Sequence, residues 1–291
     1  MKIALHGKST SEDALLCIED VIAELERRSI GFCISRDFRE RLSGAGLSIE
    51  GIELFDQQDN ISDCDFILSL GGDGTMLDTI TYTREYEVPI VGINLGRLGF
   101  LATTSRDEIT TAIEALEAKN FTIGSRSLIH VDSGDGLFAP FNFGLNEFTI
   151  VKKETSSMIV VHTYVDGDYL NAYWADGLIV STPTGSTGYS LSCGGPLVDP
   201  KMKNFILTPV SPHNLNVRPI IVSDESVITF RIEGRSSQFM ASLDSRSMNI
   251  DDKVQITVKR ESFEAKLVQF KKNSYFDTLK KKLNWGFDAR N

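Results

Sequence analysis

Two hydrophobic periods run along the chain, and the change from one to the other divides it. Ile3-Ala4-Leu5 is a short apolar run that stops at Gly7 and predicts a first strand. Ala14, Leu15, Ile18, Val21, Ile22 and Leu25 follow on one helical face, behind Ser9 and Glu12, whose three-residue spacing predicts a capping box. Ile30 to Ile34 predicts a second strand, Phe38 with Leu42 a short helix, and Ile52-Glu53-Leu54-Phe55 a third strand inside a polar stretch. Phe66 to Leu70 and Pro89 to Asn94 are uncharged and bounded by breakers, as strands covered on both faces are. Ser105 with Glu108 predicts a second capping box, ahead of Ile109, Ala112, Ile113 and Leu116 at helical spacing. Strands alternating with amphipathic helices over residues 1–118 predict a doubly wound parallel-sheet α/β domain.

From about residue 121 the period becomes two and the helices drop out. Met158 to Val165, an Asp166-Gly167-Asp168 hairpin turn, Tyr169 to Trp174, Val227 to Phe230, Phe239 to Leu243, and Val254, Ile256 and Val258 all read as strands. Residues 121–270 are therefore expected to form an antiparallel β-rich domain, making the fold class α/β plus all-β. Beyond Phe270, Phe276, Leu279 and Leu283 recur at helical spacing beside Lys271, Lys272, Lys280, Lys281 and Lys282, which read as a solvated helix face.

The pattern is most abrupt at Phe66-Ile67-Leu68-Ser69-Leu70-Gly71-Gly72-Asp73-Gly74-Thr75, where a buried strand ends in glycines around one carboxylate. Open α/β sheets bind ligands at the carboxyl ends of their strands, and glycines let phosphate oxygens approach backbone N–H groups. Met76, Leu77 and Ile80 then continue at helical spacing, so the loop is expected to open a helix whose N-terminus favours an anion. Asp73 repels phosphate unless it binds a metal, takes a proton or accepts a hydroxyl. The plain alternative is an Asp that fixes a tight turn. No Lys-Ser/Thr follows and a third glycine is missing, so neither the P-loop nor the GxGxxG fingerprint fits.

A second segment is dense in hydroxyls: seven of the twelve residues from Ser181 to Ser192 are Ser or Thr. Such groups, with glycine N–H, suit ribose and phosphate oxygens, although a Ser/Thr-rich surface loop is the commoner explanation. Asn146-Glu147 interrupts the strand-like run from Phe143 to Val151, as a bulge or as a ligand site. A net charge of −10 argues against nucleic-acid binding, which needs a basic stripe. The four cysteines are scattered with no CxxC pair, which points to reduced thiols in a cytoplasm and away from zinc or a disulfide framework. No apolar run reaches spanning length, so no membrane segment is expected.

Taken in order, Gly71-Gly72-Asp73-Gly74-Thr75, Asn94-Leu95-Gly96-Arg97-Leu98-Gly99-Phe100-Leu101, Asn146-Glu147, Asp176-Gly177 and Thr182-Pro183-Thr184-Gly185-Ser186-Thr187-Gly188-Tyr189-Ser190 resemble the NAD kinase family over most of the chain. The Gly-Gly-Asp-Gly piece is shared with diacylglycerol and sphingosine kinases; the Asn-Glu pair and the Thr-Pro-Thr-Gly-Ser-Thr segment are what single out NAD kinases. The resemblance implies ATP-dependent phosphorylation of the 2′-hydroxyl of the adenosine ribose of NAD, giving NADP, with Mg²⁺ or another divalent cation. It makes Asp73 the base, with Gly72, Gly74, Thr75 and Asn94 lining the nucleotide site. Asn146 and Glu147 would hold NAD, Asp176 would meet the nicotinamide end, and Thr187, Gly188, Tyr189, Ser190, Leu191 and Ser192 would line the dinucleotide pocket. The tail, residues 271–291, would return to the first domain, and the assembly would be a homodimer or homotetramer. Four positions depart from the family pattern: Trp174 and Asp78 where basic residues are common, Gly188 in place of alanine, and Arg246 where glutamine is frequent. Arg246 and Arg97 are the candidates for a phosphate-contacting charge, beside a plain structural or surface role for each. A lipid kinase and a non-catalytic dinucleotide sensor are the alternative functions.

Overall fold

The computed structural model describes residues 1–96, 99–153, 158–235, 238–270 and 274–284. Arg97, Lys271 and Lys272 lie outside the described residues. Two compact units are present, Met1–Ser125 with Ala265–Asn291, and Arg126–Glu264.

In the first unit β1 (Lys2–Gly7), α1 (Glu12–Arg27), β2 (Gly31–Ser35), α2 (Arg36–Gly44), β3 (Glu53–Phe55), β4 (Phe66–Gly71), α3 (Asp73–Thr83), β5 (Ile90–Asn94) and α4 (Ile109–Glu117) follow in order. The strands are parallel and lie in the order β3-β2-β1-β4-β5. The order reverses between β1 and β4, so the loops after those two strands leave the sheet in opposite directions and open a crevice at its carboxyl edge. Every residue of β4 and β5 is buried, as their uncharged sequences require. The core joins Ile3, Leu5, Leu68, Leu70, Val91 and Ile93 of the sheet to Ile18, Val21 and Leu25 of α1 and Ile109, Ile113 and Leu116 of α4.

Two helix starts differ in kind. Glu108 accepts from the Ser105 N–H (3.0 Å) and hydroxyl (2.9 Å), so that capping box forms, on a 3-10 turn that leads into α4. The one expected at Ser9 does not. α1 begins at Glu12 with Ser11 as its N-cap, and Ser9 instead lies 3.4 Å from the Ser11 hydroxyl. Ser11 is still extended (φ −63°, ψ 156°), which leaves Ser9 two residues outside the N-cap and out of reach of the first turn. Glu12 and Asp13 favour that turn through their charge.

The second unit contains β6 (Thr122–Ser133), β7 (Phe143–Gly144), β8 (Glu147–Lys152), β9 (Ile159–Val165), β10 (Asp168–Ala175), β11 (Gly177–Ser181), α5 (Tyr189–Ser192), β12 (Asn204–Val210), β13 (Ile220–Ser223), β14 (Ile228–Gly234), β15 (Gln238–Leu243), β16 (Arg246–Asp251) and β17 (Ile256–Gln269). β10-β9-β14-β17 forms one antiparallel layer and β13-β12-β11-β8-β15-β16 the other. Their inner faces share one core, with Phe230, Val161 and Ile228 from one sheet against Phe148, Leu178, Val180 and Phe239 from the other. Asp166 and Gly167, both at positive φ, make the two-residue turn that the Asp-Gly pair predicts.

The end of β17 belongs to the first unit, where Leu267 pairs in parallel with Ile90, and α6 (Tyr275–Leu283) follows it. Of the three apolar positions expected to face inward on α6, Leu279 is buried, Phe276 is 57% exposed and Leu283 is also exposed. Lys282 instead sits over the Phe100 ring, 5.7 Å from its centroid. Among the described residues no helix is long and apolar enough to cross a membrane.

Candidate functional site

The glycine turn is tighter than its sequence implies. α3 starts at Asp73 itself, with Gly72 as N-cap, and not after Thr75. Thr75 packs back onto the end of β4, where a Cβ on Gly71 would lie 2.2 Å from its Oγ1. One turn later the Thr79 hydroxyl donates to Ser69 Oγ at 2.8 Å, tying the helix to the strand. With Gly71 lacking a side chain, the helix begins as soon as the strand ends. Gly72 and Gly74 face open space, which leaves the start of α3 accessible to a ligand.

Asp73 is held. Phe100 N–H donates to Oδ2 at 2.8 Å, and Leu101 and Ala102 N–H donate to Oδ1 at 2.9 and 3.2 Å. Gly99 makes this possible, since a Cβ there would fall 1.9 Å from Oδ1. A carboxylate has roughly four acceptor sites, so one remains for an incoming hydroxyl. Asn94 lies opposite Gly71 on the neighbouring strand, and its Oδ1 accepts Gly96 N–H at 3.0 Å. Gly72, Asp73, Gly74, Thr75 and Asn94 are thus brought together at one sheet edge, with Thr75 and Asn94 shaping the turn.

In the second unit Asn146 and Glu147 stand where β8 begins. Asp244, in the two-residue turn between β15 and β16, holds them. Leu145 N–H donates to its Oδ2 at 2.7 Å, while Asn146 and Glu147 N–H donate to Oδ1 at 2.8 and 3.1 Å. Burial pushes the Asp244 carboxyl up, and these three bonds work against that shift. Glu147 is pushed up to about 7, by burial first and then by the Asp244 charge. Asn146 Oδ1 and Glu147 Oε2 are buried with no hydrogen-bond partner among the described residues. Orphaned buried acceptors are costly, so a pair of them in one turn is a strong mark of a ligand site.

The hydroxyl-rich segment wraps around this turn. Gly185 lies against the Asn146 backbone, where a Cβ would sit 2.1 Å from the carbonyl oxygen, and a Cβ on Gly188 would sit 3.0 Å from Glu147 Oε2. Most of the hydroxyls work internally. Thr182 donates to Leu145 O at 2.5 Å and accepts from Gly185 N–H at 3.1 Å. Ser186 bridges both backbone groups of Val198, and Ser190 pairs with Thr208 at 2.8 Å. Ser190 is therefore enclosed in the unit. Thr187, Gly188, Tyr189, Leu191 and Ser192 keep accessible surface. The Tyr189 phenol is raised by burial, Cys193 and the charge of Asp176. Asp176 itself pairs with Lys152 at 2.7 Å, at the far end of β11 from Glu147. Arg246 grips the carbonyls of Phe141 and Phe143 with its two terminal nitrogens, a role that shapes the approach to β7. Sequence reasoning gave no role to Asp244 or to the Phe100–Ala102 amides, because each acts on a residue far away in the chain.

The fold and the two loop clusters define a two-unit nucleotide-binding protein, an α/β unit followed by a β sandwich. Residues 48–121 match the ATP-NAD kinase N-terminal domain and residues 145–270 the ATP-NAD kinase C-terminal domain. An NAD kinase of Cytophaga hutchinsonii is 48% identical over the whole of both chains, and one of Christiangramia forsetii is 40% identical, again over the whole of both. Among solved structures, an NAD kinase from Archaeoglobus fulgidus in complex with ATP aligns at TM-score 0.75 with 28% identity, covering 98% of this chain and 99% of that one. Yeast NADH kinase complexed with NADH shares the fold at TM-score 0.85 with 22% identity, covering all of this chain and 89% of that one. The chain belongs to the ATP-NAD kinase family.

Proposed function

We propose that this protein is an NAD kinase, transferring the terminal phosphoryl group of ATP to the 2′-hydroxyl of the adenosine ribose of NAD. The observation that carries the reading is Asp73, fixed by three backbone N–H groups with one acceptor site spare, beside two glycines that open onto free space. The ribose oxygen forms a bond to the γ-phosphorus as the bond to the β–γ bridging oxygen breaks. Asp73 takes the hydroxyl proton, and ADP leaves. The first-turn N–H groups of α3 support the phosphate charge. Asn146 and Glu147 hold the dinucleotide, with Glu147 accepting from ribose hydroxyls. A divalent cation would travel with the triphosphate, whose own oxygens supply ligands. Among the described residues no group of three His, Cys, Asp or Glu side chains is arranged to hold one. Cytoplasmic location and a homodimeric or homotetrameric state go with this reading. The lipid-kinase alternative is not favoured, because the full-length relatives named above are NAD kinases.

Purified protein given ATP, Mg²⁺ and NAD is expected to form NADP, read by an NADP-specific dehydrogenase. A folded protein that binds NAD and makes none would turn the reading to a dinucleotide sensor.

Dinucleotide affinity should also depend on pH through Glu147. With its carboxyl near 7, the charged acceptor form is scarce in acid, so affinity is expected to rise about tenfold between pH 6 and pH 8 and then level off. Calorimetric titration across that range checks it, and Glu147→Gln should flatten the profile. The stability of the ligand-free protein is expected to follow the opposite trend. A carboxyl whose folded value is raised above 4.5 favours folding at low pH and loses that contribution as pH climbs from 4.5 to about 7.

A further inference from the structure

We infer that Lys8 is a phosphate-binding residue, its ammonium held over the first turn of α3 by Asp78, with His6 and Ser35 fixing that carboxylate from behind. The inference deepens the proposed kinase reading and rests on the glycine turn being a polyphosphate site.

The sheet places Lys8 there. Gly7 is in register with Leu70, so Lys8 and Gly71 leave β1 and β4 side by side, at the point where the strand order reverses. Asp78 and Gly74 are four residues apart on α3 and share a face, and a helical side chain leans over the turn N-terminal to it. Lys8 Nζ lies 2.9 Å from Asp78 Oδ1, and one turn before Asp78 the missing side chain of Gly74 leaves open space. The Lys8 side chain is 41% exposed, and the Asp78 contact uses one of its three N–H bonds.

Asp78 explains why a lysine is wanted. A carboxylate in the second turn of a phosphate-binding helix repels the ligand unless it is neutralised. Burial disfavours its charge, yet hydrogen bonds from His6 and Lys8 hold it below the usual carboxylate range, so it is ionised. His6 is 1% exposed, with Nε2 2.9 Å from Asp78 Oδ2 and Nδ1 2.8 Å from Ser35 Oγ, and its ring lies 4.5 Å from that of Tyr82. An ionised carboxylate only accepts, so Nε2 carries the hydrogen on the Asp78 side, and Nδ1 shares a hydrogen bond with the Ser35 hydroxyl. Asp78 is thereby locked from the core side, and Lys8 caps it from the solvent side. A purely structural Lys8 would leave tripolyphosphate binding unchanged when removed, whatever its effect on stability.

Inorganic tripolyphosphate is the probe, titrated into the full chain by calorimetry, with KM for ATP and for NAD measured separately. Lys8→Gln and Lys8→Ala are expected to weaken tripolyphosphate binding by about tenfold or more, and Lys8→Arg to retain most of it. Lys8→Ala with Asp78→Asn should recover part of the loss, because the uncompensated carboxylate is gone. A rise in KM for ATP names the donor's triphosphate as the occupant, and a rise for NAD names the dinucleotide's pyrophosphate. Folded Lys8→Ala and Lys8→Gln proteins that bind tripolyphosphate within twofold of the parent would overturn the assignment, as would a parent that does not bind it. A parent that binds tripolyphosphate but makes no NADP refutes the kinase reading while the Lys8 comparison still decides the site.

Discussion

Asp73→Asn is expected to lower turnover about a thousandfold while leaving NAD affinity within about threefold, the range that loss of a positioned base produces. The structure adds a second consequence. Both Asp73 oxygens accept from the Phe100–Ala102 amides. An asparagine that keeps its oxygen on Leu101 and Ala102 turns its NH₂ toward the Phe100 N–H, losing one bond and setting two donors face to face. That costs about 1–3 kcal/mol and loosens the loop. Turnover, NAD binding by calorimetry and thermal unfolding must therefore be read together. A thousandfold loss in a folded protein that still binds NAD establishes the base. Turnover within tenfold of the parent leaves Asp73 as a latch for the loop and removes it from the chemistry.

Asp244→Ala should give the largest loss of stability. It strands three backbone N–H groups, of Leu145, Asn146 and Glu147, at the start of β8. Each orphaned donor costs about 1–3 kcal/mol, and relief from a buried charge offsets part of the total, so a net loss of about 3–4 kcal/mol is expected. In a chain of this size that corresponds to roughly 10 °C in Tm. Asp244→Asn keeps an oxygen acceptor and should lose less. Denaturant titration measures both, and a loss below about 1 kcal/mol in the alanine variant would show that the three amides find other partners. Removing the Asp244 charge should also lower the Glu147 carboxyl from about 7, moving the pH profile of NAD binding toward acid.

The two clusters were legible to different depths. Asp73 and its glycines stand out because a buried strand cannot end in Gly-Gly-Asp-Gly without a turn that exposes backbone N–H. Asn146-Glu147 stands out as two polar residues inside a strand-like run, and each keeps a buried acceptor without a partner among the described residues. The hydroxyl-rich segment was legible in composition only. Thr182, Ser186 and Ser190 spend their hydroxyls on Leu145, Val198 and Thr208, contacts 37, 12 and 18 residues away that no local pattern encodes. Arg246 was a candidate for phosphate charge by its type, but two carbonyls more than a hundred residues earlier occupy its terminal nitrogens. Lys8 carries no motif and Asp78 only a departure from the family pattern, and they become a pair only because β1 and β4 lie side by side.

What the sequence determined by itself is local and periodic. The change from a 3.6 to a 2 period separated an α/β region from an antiparallel one, since a helix and a strand bury different spacings of the same apolar residues. Glycine placement marked where backbone would be bared to a ligand. What only the tertiary structure decided is which polar groups are spent and which are spare. Whether a carboxylate or hydroxyl already has its partners depends on residues far away in the chain, and burial then sets the cost of leaving it alone. That cost is why Asp244, which accepts three backbone N–H groups, is structural, while Glu147, whose own N–H is one of them, keeps a buried oxygen with no partner among the described residues.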